Sequence, residues 1–150
     1  MGKDFFEIAS PRDLLEKAKR DYEKMKADTS TDTIFNFFVT AYHVLDYVRI
    51  SGTVPQADID QLYVDPDFRM CQFLCNKGKH IQLRGGEQYE AKHVAAIPGG
   101  VLGSFVLGVD RLGGSERFVV LDGTQELDVI KLGSDLIKKW EDFFLAHGIS

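Results

Sequence analysis

The sequence predicts an α+β fold that is mainly helical: a four-helix core with a small antiparallel β insertion before the last helix. Three observations predict it. Long stretches repeat apolar residues at i, i+3 and i+4. Two of them open on a capping residue followed by proline, Ser10-Pro11 and Asp65-Pro66. Between residues 85 and 133 glycines accumulate and the helical period breaks. A length of 150 residues suits one domain, residues 1–150, with the β section at about 86–127.

The first helix starts at Ser10, with Asp13 three residues on as an imperfect capping box. Leu14, Leu15, Ala18, Tyr22 and Met25 make its apolar face. Asp13→Lys17 and Glu16→Arg20 suit acid-first pairs on the other face. Asp28, Ser30 and Thr31 mark a turn and the next cap. From Thr33 to about Arg49 the chain is apolar nearly all round, as a central buried helix requires. Its polar residues Asn36, Thr40, His43 and Asp46 form one narrow stripe. Ser51 to Pro55 ends that helix, and Gln56 to Val64 reads as a linker or short helical turn.

The third main helix follows Asp65-Pro66. Phe68, Cys71, Leu74, Cys75, Gly78 and Ile81 face inward, and Arg69, Gln72, Asn76 and Lys79 face outward with His80 at the border. Residues 88–97, 101–109 and 117–121 read as strands, and Leu121-Asp122-Gly123-Thr124 as a tight hairpin turn. Val129, Leu132, Leu136, Ile137, Trp140, Phe143 and Phe144 return to helical spacing, closed by His147-Gly148. Trp140 reads as a core anchor.

Composition excludes several classes. A hydrophobic fraction of 44% and a charged fraction of 27% argue against a disordered chain. A net charge of −5 does not indicate nucleic-acid binding, although a local basic groove stays open. The apolar run from Ile34 to Val48 is broken by Asn36, Thr40, His43 and Asp46, short of the ~18 residues that a membrane span needs. With no signal-like N-terminus, the expected location is cytoplasmic and no membrane partner is expected. Cys71 and Cys75, at i,i+4, read as buried thiols rather than a disulfide or a metal pair. No GxGxxG or P-loop occurs, and no metal or other cofactor is expected.

The candidate chemistry lies on two polar stripes. If the second and third main helices pack antiparallel, His43 and Asp46 approach Asn76, Lys79 and His80. Asp46, one turn beyond His43, is placed to orient its imidazole and favour the charged ring. The same residues also suit plain solvated or hydrogen-bonded helix positions.

Three segments, FNFFVTAYHVLDYV, CQFLCNKGKHIQL and DGTQELDVIKLGSDLIKKWEDFF, resemble an uncharacterised group of small bacterial and phage proteins. In that group a TAxHxxDW-like helix precedes an NxxKH segment and an FWEEFF-like C-terminal helix. The helix layout is in turn similar to the HEPN superfamily, whose members include ribonucleases and phage-defence toxins. The ribonuclease motif of that superfamily is Arg, four to six residues, then His. No histidine here has it: the positions before His43 hold Asn36 to Phe38, and those before His80 hold Phe73 to Cys75. Gly86 to Gln88 precede His93, and Trp140 to Asp142 precede His147. Arg69 stands about 16 Å from His80 along a helix axis at 1.5 Å per residue. The resemblance therefore implies a fold, and no catalytic residue is carried over.

The expected function is a non-enzymatic intracellular interaction or regulatory module with a protein partner or a second copy. The resemblance adds a link to phage defence or a toxin–antitoxin pair. The alternatives are a metal-independent HEPN-like ribonuclease using His43, Asp46, Asn76, Lys79 and His80, and a small-molecule-binding domain at that cluster.

Overall fold

A computed structural model describes residues 8–79, 92–98, 116–122 and 125–150. The elements run α1 (Pro11–Ala27), α2 (Thr31–Ser51), α3 (Gln56–Val64), α4 (Pro66–Lys79), β1 (Lys92–Pro98), β2 (Glu116–Asp122), β3 (Gln125–Asp128) and α5 (Val129–His147). The chain is mainly helical, with a small antiparallel sheet before the last helix, as the sequence predicts. The segment Gln56 to Val64, which reads as a linker or a short helical turn, is a nine-residue helix buried through Ile59 and Leu62.

Helix starts are set by side chains that satisfy otherwise unpaired amides. Ser10 Oγ accepts from Asp13 N at 3.1 Å, and Asp13 Oδ2 accepts from Ser10 N at 3.0 Å. The capping box is thus complete despite aspartate in place of glutamate. Ser30 and Thr33 repeat the device for α2. Asp65 Oδ1 accepts from the amides of Asp67 and Phe68 at the start of α4. Asp128 Oδ1 accepts from Ile130 and Lys131, so β3 passes directly into α5. Gly52 and Gly148 end α2 and α5 in the left-handed conformation (φ 68° and 64°), which only glycine adopts without strain.

The sheet has the order β1-β2-β3, antiparallel throughout. Lys92 pairs with Asp122 and Pro98 with Glu116 across β1 and β2, while Asp122 pairs with Gln125 across β2 and β3. The predicted hairpin falls between β2 and β3, which are antiparallel neighbours. The expected strand at 101–109 lies outside the described residues.

The core gathers around α2 and α5. Trp140, Phe37, Phe38, Phe73 and Phe144 are its largest fully buried side chains. Trp140 meets Phe68 edge-on at 4.9 Å and Phe144 at 5.9 Å, each such pair adding about 0.5–1.5 kcal/mol beyond burial. Its indole N–H donates to the Ala41 carbonyl at 3.0 Å, giving a buried donor its partner. Gly133 belongs to this packing and not to a turn. A Cβ there would stand 2.9 Å from Tyr22 Cε2 and 3.0 Å from Phe37 Cε1. The absent side chain lets α5 close on α1 and α2.

Charged ties surround the apolar centre. Arg12 and Lys19 of α1 hold Glu141 of α5, and Lys139 of α5 holds Asp65 and Asp67 at the start of α4. Lys17 pairs forward with Asp21 at 2.6 Å instead of back to Asp13, whose carboxylate is committed to the cap. The buried Asp21 also lies 2.9 Å from Thr40 Oγ1 of α2. The expected Glu16–Arg20 pair is replaced by contacts of Glu16 with Arg12 and Lys19.

Two substitutions test this packing. Trp140→Ala should lower unfolding free energy by about 3–5 kcal/mol; a denaturant midpoint near wild type would contradict the core assignment. Gly133→Ala should also destabilise, reversing the gain of about 1 kcal/mol that alanine brings at an open helical site. Thermal unfolding reads the sign.

Candidate functional site

The second half of α2 turns one edge outward while Val44, Leu45 and Val48 anchor its inner face. On that outer edge His43, Asp46 and Arg49 recur at i, i+3 and i+6, one line on a helix. His43 Nδ1 lies 2.9 Å from Asp46 Oδ2, and Arg49 Nη2 donates to Asp46 Oδ1 at 3.1 Å. His43 and Asp46 side chains are each 37% exposed. One carboxylate therefore orders an imidazole on one side and a guanidinium on the other.

Two neighbours complete the edge. Ile50, next in sequence to Arg49, is 79% exposed. Tyr42, half-buried, has its ring 6.4 Å from that of His43. Burial pushes the Tyr42 hydroxyl up to about 12, helped by Tyr63, Asp46, Cys75 and Cys71, so it stays a neutral phenol. Neither Arg49 nor Tyr42 is among the residues that the sequence singles out. Arg49 was legible, since i+3 from Asp46 is a helical neighbour. Tyr42 was not, because its environment comes from α3 and α4.

The expected cluster is partly described. His43 and Asp46 meet as predicted. Asn76 is partly buried on α4, and α4 does pack on α2: Cys71 Sγ lies 3.5 Å from the Phe38 carbonyl oxygen. Of Lys79 the helical backbone is described and the side chain is not; His80 lies outside the described residues. Thr40, from the same stripe as His43, points instead at Asp21 and Lys17 of α1, because the buried Asp21 carboxylate requires partners. Asn36 is exposed. The stripe is therefore divided between α1 and the outer edge.

Cys71 and Cys75 are buried and form no disulfide, and burial, with Cys75 adding to it, pushes the Cys71 thiol well above its ordinary range. Such a thiol is a poor nucleophile. Among the described residues no group of three or more His, Cys, Asp and Glu side chains is placed to hold a metal ion.

A cleft of about 430 Å³ opens elsewhere, between the start of α1 and the end of α5, lined by Arg12, Glu141, Phe144, Leu145 and Ile149 among others. Arg12 is engaged within it: its guanidinium lies over the Phe144 ring at 4.9 Å and binds Glu141 and the Ile149 carbonyl. Its cation is directed at the protein itself.

If Asp46 sets the imidazole, neutral His43 carries its proton on Nδ1, since a carboxylate can only accept. Nitrogen NMR should show that tautomer in the wild type and a shift toward the Nε2–H form in Asp46→Ala. An unchanged tautomer would remove Asp46 from that role.

Compared with known proteins, the chain matches no family model, no curated protein and no solved structure.

Proposed function

We propose that the chain is a non-enzymatic interaction or regulatory module whose contact surface is the outer edge of α2. The observation that supports this most is the ordering of Arg49 and His43 by Asp46 beside the exposed Ile50. A guanidinium held in place next to an apolar side chain has the composition of an interface centre, because less side-chain freedom remains to be lost on binding.

The shifted ionisable groups point the same way. Here Lys19 holds Glu141 below the usual carboxylate range, with Arg12 assisting. Burial raises Asp65, but Lys139 and two helix amides outweigh it and leave it lowered. These shifts belong to ties between helices rather than to a reaction.

The partner is a protein or a second copy of this chain. The setting we propose is the bacterial cytoplasm, in phage defence or a toxin–antitoxin pair. Support for that setting is the resemblance of the three segments above; for the absence of a membrane role it is that no described helix is long and apolar enough to cross a bilayer.

A ribonuclease is the second reading, favoured by the imidazole and guanidinium on one carboxylate. They stand in the order His then Arg, opposite to the superfamily motif, and Asp46 neutralises the cation that a phosphate would need.

Two experiments test these readings. A photoreactive residue at position 50 should give a discrete protein adduct in cells, lost in Arg49→Ala and absent at position 138, where Lys138 is 77% exposed. Equal labelling at both positions would overturn the contact surface. Single-stranded RNA should survive incubation with the purified protein; cleavage abolished by His43→Ala would replace the module with the nuclease.

A further inference from the structure

We infer that His147 and Asp58 form a proton-dependent latch, which holds α3 against the end of α5 and lets go as the solution turns alkaline. His147 is the last residue of α5, and its ring is committed on both sides. Nδ1 lies 2.8 Å from the Phe143 carbonyl oxygen, and Nε2 lies 2.9 Å from Asp58 Oδ2 of α3. A carbonyl and a carboxylate oxygen can only accept. A neutral imidazole carries one N–H and satisfies one of them, so both contacts require the doubly protonated ring.

The surroundings favour that form. Asp58 is the charged group facing the ring from α3, and the Phe143 carbonyl faces it from α5 itself. The Phe143 ring stacks on the imidazole with centroids 4.1 Å apart, which fixes its orientation. The negative end of the α5 dipole adds to the attraction for a cation. The His147 side chain is 17% exposed and that of Asp58 48%, so the imidazole is the shielded partner of the contact.

Asp58 first, and then the Phe143 carbonyl, raise the His147 pKa above its ordinary 6.5. A pKa raised in the folded state contributes stability that is complete below 6.5 and is lost as pH climbs through the folded value. The loss falls on α3, whose N-terminus has no side-chain cap and which buries only Ile59 and Leu62 among its residues. Short helices depend on such tertiary ties, because nine residues do not hold a helix in water. Release of α3 uncovers Ile59 and Leu62.

Proton NMR of the His147 ring and hydrogen exchange of the α3 amides, across pH 6 to 9, test the latch. In the wild type the His147 midpoint should lie above 6.5, and α3 protection, corrected for intrinsic exchange, should fall through that midpoint. Asp58→Asn, at a site 48% exposed, should keep the fold. In that variant the midpoint should drop toward 6.5 and α3 protection should no longer follow it. His147→Gln should give low α3 protection that does not change with pH. An equal midpoint in wild type and Asp58→Asn, or α3 protection that stays constant through the wild-type midpoint, would overturn the proposal.

Discussion

The hydrogen bond from Trp140 Nε1 to the Ala41 carbonyl fixes where α5 sits on α2, and most of the structure follows from that placement. The indole is fully buried, so its N–H must have a partner, and the Ala41 carbonyl supplies one within the apolar centre. A single directional bond thereby sets both the height and the rotation of α5. Gly133, two turns earlier on the same face, removes the side chain that would hold α5 away from Tyr22 and Phe37. Leu136 lies buried between these points, and Phe144 one turn beyond Trp140.

Once α5 is seated, α1, α3 and the start of α4 each reach it with a charge. Glu141 takes Arg12 and Lys19 from α1, Lys139 takes Asp65 and Asp67 from α4, and His147 takes Asp58 from α3. The Glu141 and Lys139 pairs are partly exposed, so each adds little energy, in the range of ~0–1 kcal/mol. Their value is geometric: they select one register for helices that the apolar seam alone would let slide. The outer edge of α2, where Asp46 holds His43 and Arg49, contributes to none of these ties.

Local chemistry was legible in the sequence, and long-range chemistry was not. Ser10 and Asp65 announced their helices because a cap acts within three residues. Gly148 and Trp140 announced the end and the inner face of α5 for the same reason. The pair His43–Asp46 was legible since a helix places i and i+3 together. Asp21 was not: nothing in its neighbourhood says that Thr40, nineteen positions on, will share its carboxylate. Gly133 looked like one more turn glycine, because the clash it avoids is with α1 and α2. His147 looked like a helix terminator until α3 brought Asp58 beside it. The expected approach of Asn76 to α2 depends on how two helices cross, which periodicity does not encode.

Native-state hydrogen exchange tests the central role of the α2–α5 seam most directly. Amides of α2 around Phe37 to Leu45 and of α5 around Leu136 to Phe144 should exchange through one shared opening, with the same dependence on denaturant. Trp140→Ala should lower both sets by the same amount. If α5 opened at markedly lower free energy while α2 kept its protection, α5 would be an appended helix and not the element on which the fold depends.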